Sequence, residues 1–157
     1  MFLYLVRHGE AVDEAESPER PLSLRGKQEA ALTGQFLKAI GAKPKLCLCS
    51  DKLRSRQTAE RIVEELGIPV KIEQRKGLAP KDSPEGFLEE VESFADDRLI
   101  AGHSPFLPRL AGLLLCGRAD ADAFPMAPGG LIRLERRGRG AWSLSIAISP
   151  AEIVEFL

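Results

Sequence analysis

The feature that most constrains this chain is the alternation of short apolar runs with amphipathic helical patterns. Phe2 to Val6, Leu46 to Cys49, Val70 to Ile72 and Arg98 to Ala101 each read as a short strand. Between the first two, Ser23 is a helix N-cap, and Leu32, Phe36, Leu37 and Ile40 form an apolar stripe ended by Gly41. Ala59, Ile62, Val63 and Leu66 mark a second helix closed by Gly67 and Pro69, and Ser83-Pro84-Glu85 opens a third with Phe87, Leu88, Val91 and Phe94 on its buried face. Phe106, Leu107, Leu110, Leu113 and Leu114 mark a fourth, stopped by Gly117. Leu131 to Arg136 and Ala141 to Ile148 read as a hairpin, and Glu152 to Leu157 as a short amphipathic tail. Strand and helix in alternation imply right-handed crossovers, hence an α/β fold: a three-layer α/β/α sandwich around a mostly parallel sheet. At 157 residues the chain is expected to form a single domain, 1–157, with a core that needs no disulfides.

In such sheets the ligand crevice lies outside the carboxyl ends of the strands. The chain has two histidines, and both occupy that place. His8 follows the first strand in the run Arg7-His8-Gly9, and His103 follows the fourth in Gly102-His103-Ser104-Pro105. Gly9 removes a Cβ that would keep a small anion from the backbone. Arg54 lies near the start of the second helix, where amides and the helix dipole favour negative charge, and Ser104-Pro105 begins another helix whose amides can assist. Planar guanidiniums from Arg7 and Arg54 suit phosphoryl oxygens, so phosphate is the ligand this set fits. Lys52 and Arg56 are expected to be solvated rim charges. The loop from Ala11 to Leu22, with its acids and two prolines, should lie directly over His8.

Twenty-two basic residues against twenty-three acidic ones, a net charge of −1, give no bulk attraction for nucleic acid or an anionic membrane. Three cysteines cannot all pair, and Cys47 and Cys49 alternate along a strand as small hydrophobes, which favours a reducing compartment. No apolar run reaches the length of a membrane span, and the expected location is the cytoplasm. None of the cysteines has an arginine six positions on, so the loop of cysteine phosphatases is absent. Asp120-Ala121-Asp122 spaces two carboxylates like an aspartyl-phosphate enzyme but follows a helix and not a buried strand. There is no Walker loop and no zinc-ligand pattern; no cofactor and no metal is expected.

Arg7-His8-Gly9, then Ser50 with Leu53-Arg54 and Gln57-Thr58, then Gly102-His103, resemble in identity and order the motifs of the histidine phosphatase superfamily, with its phosphoglycerate mutase-like fold. Arg20-Pro21-Leu22-Ser23, Leu78-Ala79-Pro80 and Gly102-His103-Ser104-Pro105 look most like its small SixA-like phosphohistidine phosphatase branch, which carries a minimal cap. The resemblance implies a metal-independent phosphoric hydrolase in which His8 accepts the phosphoryl group and Arg7, Arg54 and His103 form the phosphate pocket; Ser104, at its helix start, is the further phosphate-binding candidate. It implies as substrate a phosphohistidine-bearing protein or a small phosphorylated molecule. The alternatives are a small-molecule phosphomonoesterase or mutase of the same superfamily and, from another class, a phosphate-binding pseudo-enzyme. The chain departs from the pattern at the general acid. Many members place a glutamate after the third strand, where this chain reads Leu78-Ala-Pro-Lys-Asp82-Ser-Pro-Glu85. Asp82 is the first candidate acid, Glu10 or Asp13 the second, and Glu85 equally a helix-start charge.

Overall fold

The computed structural model describes residues 1–120 and 123–157. Six strands form one sheet: β1 (Phe2–Arg7), β2 (Leu46–Cys49), β3 (Lys71–Gln74), β4 (Arg98–Gly102), β5 (Leu131–Gly138) and β6 (Ala141–Ile148), in the order β3-β2-β4-β1-β5-β6. The first four are mutually parallel, and the β5–β6 hairpin adds antiparallel to β1. The central strands alternate their side chains between two cores. Leu3, Leu5, Leu48 and Ile100 face one core with Phe106, Leu107 and Leu110. Tyr4, Val6, Cys47, Cys49, Leu99 and Ala101 face the other with Leu37, Ala59 and Ile62. Helices α1 (Leu24–Ala39) and α2 (Leu53–Leu66) therefore cover one face, and α3 (Leu88–Ser93) and α4 (Phe106–Cys116) the other. The expected three-layer sandwich with a mostly parallel sheet is what forms. A short helix, α5 (Pro150–Ile153), follows the sheet.

Ser23 caps α1 by accepting the Gly26 amide, and Gly67 ends α2 in a left-handed conformation, φ 66°. The packed face of α1 differs from the expected apolar stripe. Of Leu32, Phe36, Leu37 and Ile40, Leu37 alone is fully buried, alongside Ala30, Thr33 and Gly34. The reason is close helix approach: a Cβ on Gly34 would lie 2.7 Å from Glu65 Cβ and 3.1 Å from Ile62 Cα of α2. Small residues make that contact, and the larger ones pack around its margin.

Three element boundaries also shift. β3 runs over Lys71–Gln74 and not Val70 to Ile72, because its limits are set by pairing with all four residues of β2, with Leu46 opposite Lys71 and Cys49 opposite Gln74. An edge strand needs backbone partners more than apolar side chains. The helix opened by Ser83 begins as a 3-10 turn, Pro84–Phe87, before α3. The tail expected over Glu152 to Leu157 has its helix earlier, over Pro150–Ile153, because Ser149 at the N-cap and Glu152 at the third helical position form a capping box. Of the Asp120-Ala121-Asp122 spacing, Ala121 and Asp122 lie outside the described residues.

Gly9 and Gly26 meet more closely than any side chain allows: a Cβ on Gly26 would sit 2.0 Å from Glu10 O, and one on Gly9 2.3 Å from Gly26 O. Gly86 has open space at the same position. Gly26→Ala should therefore destabilise by roughly 2 kcal/mol or more despite a helix-propensity gain of about 1 kcal/mol. Gly86→Ala should be neutral or stabilising by up to about 1 kcal/mol. Urea midpoints of the two variants check this, and equal midpoints would contradict the close contact.

Candidate active site

The parallel register of β1 on β4 sets Arg7 opposite Gly102, so the residues that follow, His8 and His103, leave the sheet side by side. His8 extends the ladder by one bond, its amide donating to Gly102 O at 2.8 Å. The two imidazoles stand edge to face with ring centroids 5.1 Å apart. His103 is buried, and Arg7, His8 and Arg54 are half-buried.

The loop that carries His8 is tied from every side. Gly9 N donates to Thr58 Oγ1 of α2 at 3.1 Å, and Glu10 N donates to Glu29 Oε2 of α1 at 2.8 Å. Gly129 N donates to the carbonyls of Arg7 and His8 at 3.0 and 3.2 Å, and the Thr33 hydroxyl donates to Gly129 O at 2.7 Å. The sequence reading of Gly9 as an opening for a ligand needs correcting: the missing Cβ makes room for the Gly26 backbone, which lets α1 butt against the turn that carries His8. Gln57 accepts the Leu22 amide at 2.8 Å, which fastens the Ala11–Leu22 loop to α2.

Within this frame His8 Nδ1 lies 2.6 Å from Gly9 O. A carbonyl only accepts, so Nδ1 carries the proton and Nε2 keeps the free lone pair. Burial lowers the His8 pKa to about 4; the Gly9 bond is the next largest influence and opposes it, and Arg54, Arg7 and Arg20 lower it further. At neutral pH the ring is an unprotonated base. His103 is depressed to about 3 by burial, then by His8, Arg54, Lys52 and Arg7. Its Nε2 meets Ser50 Oγ at 2.6 Å, while its Nδ1, like Arg7 Nε and Arg54 Nε, is buried with no protein partner. Arg7 is held in place by a 2.6 Å bond from its guanidinium to Met126 O. Burial lowers its pKa, and the charge of Glu29 opposes that shift.

Three unpaired nitrogens around a neutral imidazole are an incomplete set, and an oxyanion would complete it. The structure thus brings Arg7, His8 and His103 together, with Arg54 close enough for its charge to depress both imidazoles. Ser104 follows His103 directly, but the first amide turn of α4 is partly used, since Leu107 N donates to His103 O at 2.9 Å. Asp82 is not brought to the histidines by any hydrogen bond; its Oδ2 accepts the Ala79 amide at 2.9 Å and closes a turn. Glu10 points to α1, where its carboxylate accepts the Ser23 hydroxyl at 2.9 Å. Arg20, Glu29 and Thr58 were not singled out as site residues from sequence. Arg20 adopts a left-handed φ of 49°, donates to Val12 O at 3.1 Å and adds its charge to the pocket.

A groove of about 560 Å³ runs outward from Arg54, lined by Glu14, Glu19 and Arg20 on one lip and Asp51, Lys52 and Arg56 on the other. Among the described residues no three His, Cys, Asp or Glu side chains gather so as to hold a metal ion. No helix among them is long and apolar enough to cross a membrane.

Two strand-end histidines and two arginines on a phosphoglycerate mutase-like sheet define a class, and the chain belongs to it: the histidine phosphatase superfamily (branch 1), whose sequence profile matches residues 3–79. An uncharacterized protein from Picosynechococcus sp. is 38% identical over 126 residues, 75% of this chain and 75% of that one. The phosphohistidine phosphatase SixA of Escherichia coli is 26% identical over 156 residues, covering 92% of this chain and 94% of SixA. The solved structure of the protein histidine phosphatase SixA complexed with tungstate superposes with a TM-score of 0.86 at 24% identity, over 96% of this chain and 98% of the other, and so shares the fold.

The depressed histidines make stability depend on acidity in a defined window. Below pH 6.5 the unfolded chain takes up protons at both histidines that the folded rings refuse, so this contribution to stability falls as pH drops towards about 4 for His8 and about 3 for His103, and is absent above pH 6.5. His8→Asn should make the fall between pH 6.5 and 4 shallower by roughly one proton. Denaturant unfolding across that range tests it, and an unchanged slope would rule out a buried neutral His8.

Proposed function

We propose that the protein is a phosphatase that acts through a covalent phosphohistidine on His8, and that its substrates are phosphohistidine-bearing proteins. The observation that carries the reading is the 2.6 Å Nδ1 contact of His8 with Gly9 O, which leaves Nε2 as the free nucleophilic nitrogen of a ring kept neutral by burial and its cationic neighbours. In the first half-reaction the Nε2 lone pair forms a P–N bond as the bond from phosphorus to the leaving group breaks. In the second, water attacks phosphorus, the bond to Nε2 breaks, and inorganic phosphate departs. Arg7, Arg54 and His103 stabilise the charge on the transferring phosphoryl group, and Ser104 adds a donor at its edge. The similarity to SixA supports the substrate class. The free cysteines suit a reducing compartment, and the reading places the enzyme in the cytoplasm.

The chemistry of the leaving group favours the same substrates. An alkoxide needs a proton as it leaves, whereas a phosphohistidine ring already protonated at its other nitrogen leaves as neutral imidazole, whose conjugate-acid pKa is only about 6.5. Among the described residues no carboxylate is hydrogen-bonded to either histidine, with Asp82 engaged at Ala79 and Glu10 at Ser23. The open groove with charges of both signs on its lips suits a side chain presented on a protein surface.

His8→Ala should abolish turnover. Wild-type protein quenched with labelled substrate should carry an acid-labile, base-stable phosphate that maps to His8, while label on the His8→Ala protein would remove the assignment.

Phosphohistidine proteins and phosphoramidates should turn over at least tenfold faster than alkyl phosphate esters, and Asp82→Asn should harm the ester reaction more than the P–N reaction, on the order of tenfold against twofold. Steady-state rates on both substrate types decide this. Equal or faster rates on sugar phosphates would replace the reading with a small-molecule phosphatase.

A further inference from the structure

Ser50 directly follows β2 and is 1% exposed. Its Oγ lies 2.6 Å from His103 Nε2 and accepts the Lys52 amide at 3.3 Å. Its own amide donates to Ser55 Oγ, and the Ser55 hydroxyl donates to Ala101 O. Ser50 is thus fixed to β4, the strand that delivers His103.

The proton in the Ser50–His103 contact can sit in two places, and they are not equivalent. If Nε2–H donates to Oγ, the hydroxyl receives two donors, its own proton finds no acceptor among the described residues, and Nδ1 is a bare lone pair. If the hydroxyl donates to Nε2, the Lys52 amide occupies one Oγ lone pair and Nδ1 carries the ring proton. The first arrangement leaves a buried donor and a buried acceptor unmatched. The second leaves one N–H, on the atom that has no protein partner. Unmatched buried groups are costly, so the second arrangement is favoured even without ligand. With an oxyanion in place it leaves nothing unmatched, whereas the first would set a lone pair against negative charge. A doubly protonated ring is disfavoured by burial and by Arg7, Arg54, Lys52 and His8 around it.

We propose that Ser50 is a positioning residue: its hydroxyl holds neutral His103 in the Nδ1–H tautomer, so that Nδ1 joins Arg7 and Arg54 in donating to an oxyanion beside His8. The consequence for turnover rests on the phosphatase reading above; the tautomer does not. The charge that holds the transferring group then comes from the two arginines, with His103 supplying a directed dipole, and no proton has to be taken up before substrate binds.

The test is two-bond proton–nitrogen NMR on protein labelled with 15N histidine at pH 7, in which the two histidines are told apart with His8→Asn. Wild-type His103 should show a protonated Nδ1 and an unprotonated Nε2. In Ser50→Ala this tautomer should become mixed or reversed, with orthovanadate affinity reduced about 10- to 100-fold, the scale of a hydrogen bond to a charged group. Ser50→Thr, which keeps the hydroxyl, should preserve both. A wild-type His103 protonated at Nε2 overturns the proposal by itself, whether or not Ser50→Ala folds. So does a Ser50→Ala protein with the wild-type tautomer, or one with a changed tautomer and undiminished vanadate affinity. If the tautomer and its Ser50 dependence are found in a protein that hydrolyses no phosphorylated substrate, the phosphatase reading fails and the positioning role stands.

Discussion

The register between β1 and β4 is the constraint from which the site follows. Parallel strands carry their side chains in step, so setting Arg7 against Gly102 fixes where the next residue of each strand emerges. The spacing of the two imidazoles is therefore a property of backbone hydrogen bonds in the middle of the sheet, buffered on both faces by core. The β2–β4 register, with Cys49 opposite Ala101, brings Ser50 to the same edge and Arg54 just beyond it. A slip of one residue in either ladder would turn core side chains to the wrong face, so core packing and site geometry are selected together.

The electrostatics reverse the usual preference of a protein interior. Two arginines, with Lys52 and Arg20 at the rim, crowd a pair of imidazoles that burial has already made reluctant to ionise. Such a cluster repels itself, and the backbone compensates: the Met126 carbonyl takes the Arg7 guanidinium, and Glu29 sets a single negative charge behind it while gripping the Glu10 amide. Positive charge is held close to an unprotonated base, an arrangement that a dianion relaxes and that a neutral ligand would not.

Much of this was legible in the chain. Both histidines stand immediately after apolar runs, and alternating strands and helices send those ends to one edge, so Arg7, His8, Arg54 and His103 could be grouped from spacing and topology. What spacing cannot show is contact between distant small or polar residues. Gly9 meets Gly26, Thr58 holds Gly9, and Thr33 holds Gly129; none of these pairs has a periodic signature. Arg20 was visible only as part of a motif, because a left-handed arginine looks like any other in a sequence. The packed face of α1 was misread because the closest helix approach is made by a glycine, and β3 was misplaced because an edge strand is defined by its partner.

Gly129 carries one more implication. His8 lies among the first ten residues, and the profile shared with the superfamily runs only through residues 3–79, yet the carbonyls of Arg7 and His8 are pinned by the amide of residue 129 and the Arg7 guanidinium by residue 126. On the ribosome, a chain that has displayed His8, Arg54 and even His103 still lacks the clamp that fixes the Arg7–His8 turn. The geometry of the Arg7–His8 turn is thus complete only once residues 126 and 129 are in place, far along the chain from the turn they hold.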